Sequence, residues 1–100
     1  SFTIMTPREH DRQSAFSQNI THVVGRTLAT MDLKACDIDT QGYSSLLDII
    51  TQTCHDSWEL FHDMITYNPY ANEMLDQFQK ALGLIIHSCQ HYEKDPHHGK

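Results

Sequence analysis

Apolar residues recur at helical spacing in three blocks of this chain, and the middle block is the broadest. Between Tyr43 and Tyr67, a winding of about 100° per residue puts Tyr43, Leu47, Ile50, Cys54, Phe61 and Ile65 on one stripe. Leu46, Ile49, Leu60, Met64 and Tyr67 form a flank beside it. The combined arc is roughly 180°, against the roughly 100° that a surface helix buries on one neighbour. A helix over 41–67 with this much apolar surface predicts two neighbours, one of them a second copy of the chain or another protein.

The outer blocks have narrower stripes and clearer ends. The first opens on Thr6-Pro7-Arg8-Glu9, with a capping threonine, a proline suited to the first helical position and an acid that can reach back to the cap. Phe16, Ile20, Val23, Val24, Thr27, Leu28 and Met31 follow at helical spacing, predicting a helix over about 7–31. Gly25 and Ala29 share a flank, read first as tolerated small residues and second as a close helix approach. Leu33 to Gly42 breaks the period, and Asp39 or Thr40 caps the second helix. Asn68-Pro69 ends that helix and starts a third over about 69–92, because the residue before proline is driven from helical geometry. Its stripe is Ala71, Met74, Leu75, Phe78, Leu82, Ile85, Ile86, Cys89 and Tyr92, and residues 93–100 are expected to fray. The pattern thus predicts one all-α domain over 1–100, a three-helix bundle with short connections that dimerises through the second helix.

Charge removes several functions from that picture. Thirteen acidic residues against seven basic ones give a net charge of −6, and the basic residues are scattered rather than clustered. Electrostatic capture of nucleic acid is therefore not expected, nor is adhesion to an anionic membrane. The most apolar run, Ala81 to Ile86, is far shorter than the ~20 residues of a membrane span, and the first residues lack the basic and apolar regions of a signal peptide. Three cysteines without Cys-x-x-Cys spacing fit neither a disulfide framework nor a zinc ribbon, pointing to a reducing, cytoplasmic setting.

Eight histidines raise the question of a metal. His87 and His91 are four apart, and Glu59 and His62 have the Glu-x-x-His spacing of carboxylate-bridged di-iron bundles. However, His55, His62, His87 and His91 fall about 80–180° around the wheel from their apolar stripes, where a bundle core would not receive them. No metal site or cofactor is expected. Histidine phosphotransfer domains are also small, acidic and helical, but His22-Val23-Val24-Gly25-Arg26 has the small and basic residues in swapped order for that motif. Cys54 and Cys89 lie within apolar stripes, and Cys36 has no histidine beside it in sequence to activate it. Gly-x-Ser-x-Gly elbows and Gly-rich phosphate loops do not occur, so no catalytic residue is assigned and the chain is not expected to be an enzyme.

Binding is the function this pattern predicts. The expected module is a small cytoplasmic regulator, a stoichiometric inhibitor or anti-activator, that engages a larger protein through an apolar helix face while forming a homodimer. Trp58, at the edge of the second helix, joins Leu46, Ile49, Leu60, Met64 and Tyr67 as the expected partner-binding residues. A secretion-type chaperone or a histidine-based metal- or ligand-binding bundle are the alternative readings.

Overall fold

Local capping chemistry decides where each helix begins. In a computed structural model describing residues 4–38 and 40–93, the chain forms α1 (Pro7–Ser14), a π-helical segment (Ala15–Asn19), α2 (Ile20–Thr30), α3 (Gln41–Thr53), α4 (Trp58–Thr66) and α5 (Ala71–His91). The described residues are all-helical. Thr6 Oγ1 accepts from Glu9 N at 3.1 Å and Glu9 Oε1 accepts from Thr6 N at 2.9 Å, closing the expected capping box with Pro7 at the first turn. Thr40 Oγ1 accepts from Tyr43 N at 3.2 Å and caps α3; Asp39, the other expected cap, lies outside the described residues, as do residues 94–100 of the expected frayed tail.

The first helix is continuous from Pro7 to Thr30, with its hydrogen bonding widened in the middle. Ile20 N–H donates to Ala15 O, the five-residue reach of a π turn. That turn buries Ala15 and Asn19 and faces α4 and α5, while α2 lies along α3. At the α2–α3 crossing, a Cβ built on Gly25 would sit 1.8 Å from Thr53 Oγ1 and 3.3 Å from Ile49 O. Only a hydrogen side chain fits there, so Gly25 is a close-approach residue, whereas Ala29 is exposed. Thr53 is buried and its hydroxyl donates to Ile49 O at 2.7 Å.

Two expectations are corrected. The helix predicted over 41–67 is two helices, broken at residues 54–57. Cys54 leaves helical geometry at φ −103°, ψ 27°, and Ser57 starts a new helix by accepting from Leu60 N at 3.0 Å. The gap is close to one turn long, so the apolar spacing runs through it undisturbed. The three-helix arrangement therefore gives way to four rods: the long first helix, then α3, α4 and α5. The third expected helix also begins slightly later, at Ala71. Asn68 Oδ1 accepts from Tyr70 N at 2.9 Å, folding Pro69 and Tyr70 into a turn, while Asn68 Nδ2 donates to Asp11 O at 2.8 Å and ties the turn to α1. Arg8 Nε to Tyr70 Oη, at 2.7 Å, and Arg12 to Glu73, at 3.1 Å, add to this seam.

The second correction concerns α5. Its first turns bury Ala71 and Met74 and half-bury Leu75 and Phe78, but every residue from 79 to 93 is exposed. Leu82, Ile85, Ile86, Cys89 and Tyr92, expected in the core, are therefore on the surface. The radius of gyration, 17.6 Å, exceeds the ~13 Å of a compact chain of this length, and the longest dimension is 54 Å.

Candidate functional site

The break between α3 and α4 creates the most unusual environment in the described structure. Residues 54–57 leave the helix, so the Asp56 carbonyl is turned to accept from elsewhere, while the Ser57 carbonyl accepts from Phe61 N–H at 3.1 Å as the first bond of α4 and keeps a second lone pair. Arg26, on α2, supplies the donor: its Nη2 bonds the Asp56 carbonyl closely and reaches the Ser57 carbonyl at 3.4 Å. The guanidinium is clamped between rings that the new helix brings in. Arg26 Cζ lies 4.6 Å from the Trp58 ring centroid and 5.2 Å from that of Phe61, and the two rings meet edge-to-face at 5.8 Å.

Arg26 is only 7% exposed, an unusual state for an arginine. Its Nε is fully buried without a hydrogen-bond partner, and no carboxylate among the described residues pairs with it. Two carbonyls and two aromatic faces offset part of the cost of burying the charge, but they do not neutralise it. Beside the guanidinium is a half-open pocket of about 330 Å³, walled by Val23, Thr27 and Thr30 of α2, Phe61, His62 and Ile65 of α4, and Leu75 of α5. Its lining is mainly apolar. A second recess, of about 380 Å³, is lined by the polar residues Ser17, Gln18, Thr21, His22, Gln52 and Thr53.

The expected partner-binding residues do not form one stripe. Leu46 and Ile49 belong to α3, and Leu60 and Met64 to α4, beyond the break, with Tyr67 at its C-cap. Trp58 and Leu60 are about half exposed and Tyr67 is 79% exposed; Leu46 is just exposed, and Ile49 and Met64 are half-buried. Sequence reasoning missed Arg26 altogether, since an isolated arginine on a helix normally reads as solvated surface. A signal was present in Asp56-Ser57 ahead of Trp58, a cap that divides the second block and frees carbonyls for a basic side chain.

The four histidines weighed as metal ligands lie on the outside. His55, His62, His87 and His91 are exposed, and the His87 and His91 rings stack with centroids 4.2 Å apart. Among the described residues, no group of three or more His, Cys, Asp or Glu is gathered as metal ligands would be. Among them, too, no helix is long and apolar enough to cross a membrane.

Comparison with known proteins decides the family. The model described as "TYRAAT1-like, C-terminal domain" matches residues 27–98. The chain belongs to this family. Its relatives include two proteins of Arabidopsis thaliana, Arogenate dehydrogenase 1, chloroplastic, at 44% identity over 78 residues, and Arogenate dehydrogenase 2, chloroplastic, at 40% over 78 residues. Each alignment covers 78% of this chain but only 12% and 22% of the relatives, so the chain spans a small part of the proteins it matches.

Membership in a TYRAAT1-like C-terminal domain family overturns the expectation of a free-standing inhibitor or anti-activator. It also corrects the expectation that the chain is not an enzyme, because both relatives that it matches in part are named as dehydrogenases. The sequence held no signal for this. Chemistry-bearing motifs mark phosphate loops and nucleophiles, whereas a helical domain is recognisable mainly by its particular residues.

Proposed function

We propose that this chain is a helical domain of an arogenate-dehydrogenase-type enzyme and that its task within the enzyme is assembly, by pairing with a second copy. The observation that carries the assembly role is the distal part of α5. Leu82, Ile85, Ile86 and Cys89 recur at i, i+3, i+4 and i+7, the pattern of a buried helix face, yet all are exposed. Residues 79–91 extend this surface over about 20 Å of helix. Covering the exposed part of each such Leu or Ile removes apolar surface from water and favours pairing, set against the cost of association.

Exposed Leu46, Trp58, Leu60 and Tyr67 extend the contact surface in this reading, with Ile49 and Met64 at its partly buried edge. Oxidation of arogenate is an activity of the whole protein, to which these residues contribute a part. A chloroplast location, taken from the relatives' names, replaces the cytoplasmic one.

Light scattering on the chain tests the assembly role. A dimer is expected for the unaltered chain, and a monomer of unchanged helicity for Ile85→Glu. A chain that stays monomeric at high micromolar concentration refutes pairing through α5. The enzymatic part is tested separately, by arogenate oxidation with the full-length protein.

A further inference from the structure

The distal half of α5 carries a second strip, on the side away from its apolar face. We propose that His87 and His91 form a surface site for a borderline divalent cation of the Zn²⁺, Ni²⁺ or Cu²⁺ kind, held by one ring nitrogen of each imidazole and clipping the last turn of the helix. The two rings stack with centroids 4.2 Å apart and planes 28° from parallel. Imidazole nitrogens bind such ions at about 2.0–2.1 Å, so two that share an ion stand at most about 4 Å apart. Stacked rings one turn apart reach that limit by small rotations, and both side chains are exposed and free to make them. Room for the ion is present too. Helical side chains lean toward the N-terminus, so His87 lies over the turn that carries Gly83. A Cβ built on Gly83 would meet nothing within 4 Å, so no described side chain covers the strip there.

Donor chemistry selects the ion. Imidazole nitrogens suit borderline first-row cations and are poor ligands for Mg²⁺ or Ca²⁺, which take oxygen. Two protein ligands leave the other positions to water, so the ion is exchangeable rather than caged. A bundle core would not receive these histidines, but a site on a helix surface needs only two donors held in register by the backbone. Its consequence is local. Residues 79–93 are exposed throughout, so little tertiary packing holds the end of α5, which closes at His91. An ion bridging His87 and His91 is released when that turn opens, and it therefore stabilises the closed turn. Both histidines lie about 100–180° around the helix from Leu82, Ile85, Ile86 and Cys89. The ion leaves the apolar face open, so the site does not depend on the proposed pairing or on the proposed enzymatic role.

The probe is Zn²⁺, with Mg²⁺ as control, titrated in neutral solution into the 100-residue chain while the histidine ring signals are followed by NMR. His87 and His91 should respond first and together, saturating with one Kd of order 10 µM, and Mg²⁺ should have no effect at the same concentrations. At Zn²⁺ about a hundredfold above Kd, exchange of the His91 amide, which spans the clipped turn, should slow by up to about 100-fold. Helix geometry supplies the decisive variant. His91→Gln with Ser88→His keeps eight histidines and three cysteines, but its two histidines are sequence neighbours that do not face each other. Both positions are exposed, so the fold is at little risk, and circular dichroism checks it. The variant should bind Zn²⁺ through His87 at least about tenfold more weakly and lose the slowed exchange at residue 91. Separate saturation of His87 and His91, an equal response to Mg²⁺, or undiminished affinity in the folded variant would each overturn the proposal and leave an adventitious ion only.

Discussion

The two halves of α5 have similar apolar spacing and opposite surroundings. Ala71 to Phe78 packs its apolar side into the body of the protein, with Ala71 and Met74 fully buried, whereas residues 79–91 carry Leu82, Leu84, Ile85, Ile86 and Cys89 in solvent. Apolar spacing is therefore evidence of a face that needs covering, and says nothing about which molecule covers it. In the first half the cover comes from the same chain, at the π-helical segment and α4. In the second half no described residue of the chain supplies it. Substitutions in the packed region should accordingly change folding, and substitutions on the distal helix should change association.

A large effect is expected at Gly25, at the close approach of α2 and α3. Helix propensity alone favours alanine by up to about 1 kcal/mol. The added Cβ would lie 1.8 Å from Thr53 Oγ1, so α2 and α3 must separate or Thr53 must turn away from its bond to Ile49 O. Overpacking should dominate, and Gly25→Ala should lose about 3 kcal/mol in chemical denaturation, at the upper end of such substitutions. Adding Thr53→Ala removes the nearest atom and should restore part of the loss. A Gly25→Ala protein as stable as the parent would show that the helices do not approach this closely.

Met74 and Ile85 provide the direct comparison along α5. Met74 is fully buried, and Met74→Ala should cost about 2–5 kcal/mol of stability. Ile85 is 63% exposed, and Ile85→Glu should change the stability of the isolated monomer by no more than about 0.5 kcal/mol. Denaturation at a protein concentration low enough to exclude association separates the two. A large loss from Ile85→Glu under those conditions would mean that the distal half is intramolecular core after all, and the contrast would disappear.

A smaller effect is expected at the break between α3 and α4. Ser57 Oγ satisfies the Leu60 N–H, and Ser57→Ala should cost about 1 kcal/mol. The same substitution should loosen the turn whose carbonyls hold Arg26, so exchange of the amides of residues 58–60 should accelerate more than that of the amides in α3.

These positions also show what was legible in advance. Thr6, Pro7 and Glu9 specified a helix start through side chains a few residues apart, and Thr40 did the same for α3, because capping is local chemistry, whereas Asn68 marked the boundary but makes a turn ahead of α5 rather than its cap. Ser57 used the same chemistry but was hidden by an apolar period that continued across the break. A close approach at Gly25 was only the second reading, and its partner Thr53 was not visible, since the contact joins residues 28 positions apart and depends on how two helices cross. Arg26 was harder still. Its burial is a consequence of the break, which supplies both its carbonyls and its rings.

The smallest expected effect belongs to Glu9, in the capping box at the start of the first helix. Its carboxylate accepts hydrogen bonds from the Thr6 backbone N–H, the larger influence, and from the Thr6 hydroxyl, which together hold its pKa below the ordinary glutamate range. A carboxyl whose pKa is lower in the folded state contributes stability that is fully present above its unfolded pKa and is lost as pH falls through the folded value. The first turn of α1 should thus fray on acidification, while neutral and mildly alkaline solutions leave it intact. Glu9 is fully exposed, so the change should be local and screened by salt. Following the Glu9 carboxyl by NMR during an acid titration should give a midpoint below that of an unstructured glutamate. Thr6→Val removes the side-chain hydroxyl and its share of the shift, moving the midpoint up only part of the way because the backbone N–H remains. A midpoint unmoved by Thr6→Val would assign the whole effect to that backbone bond.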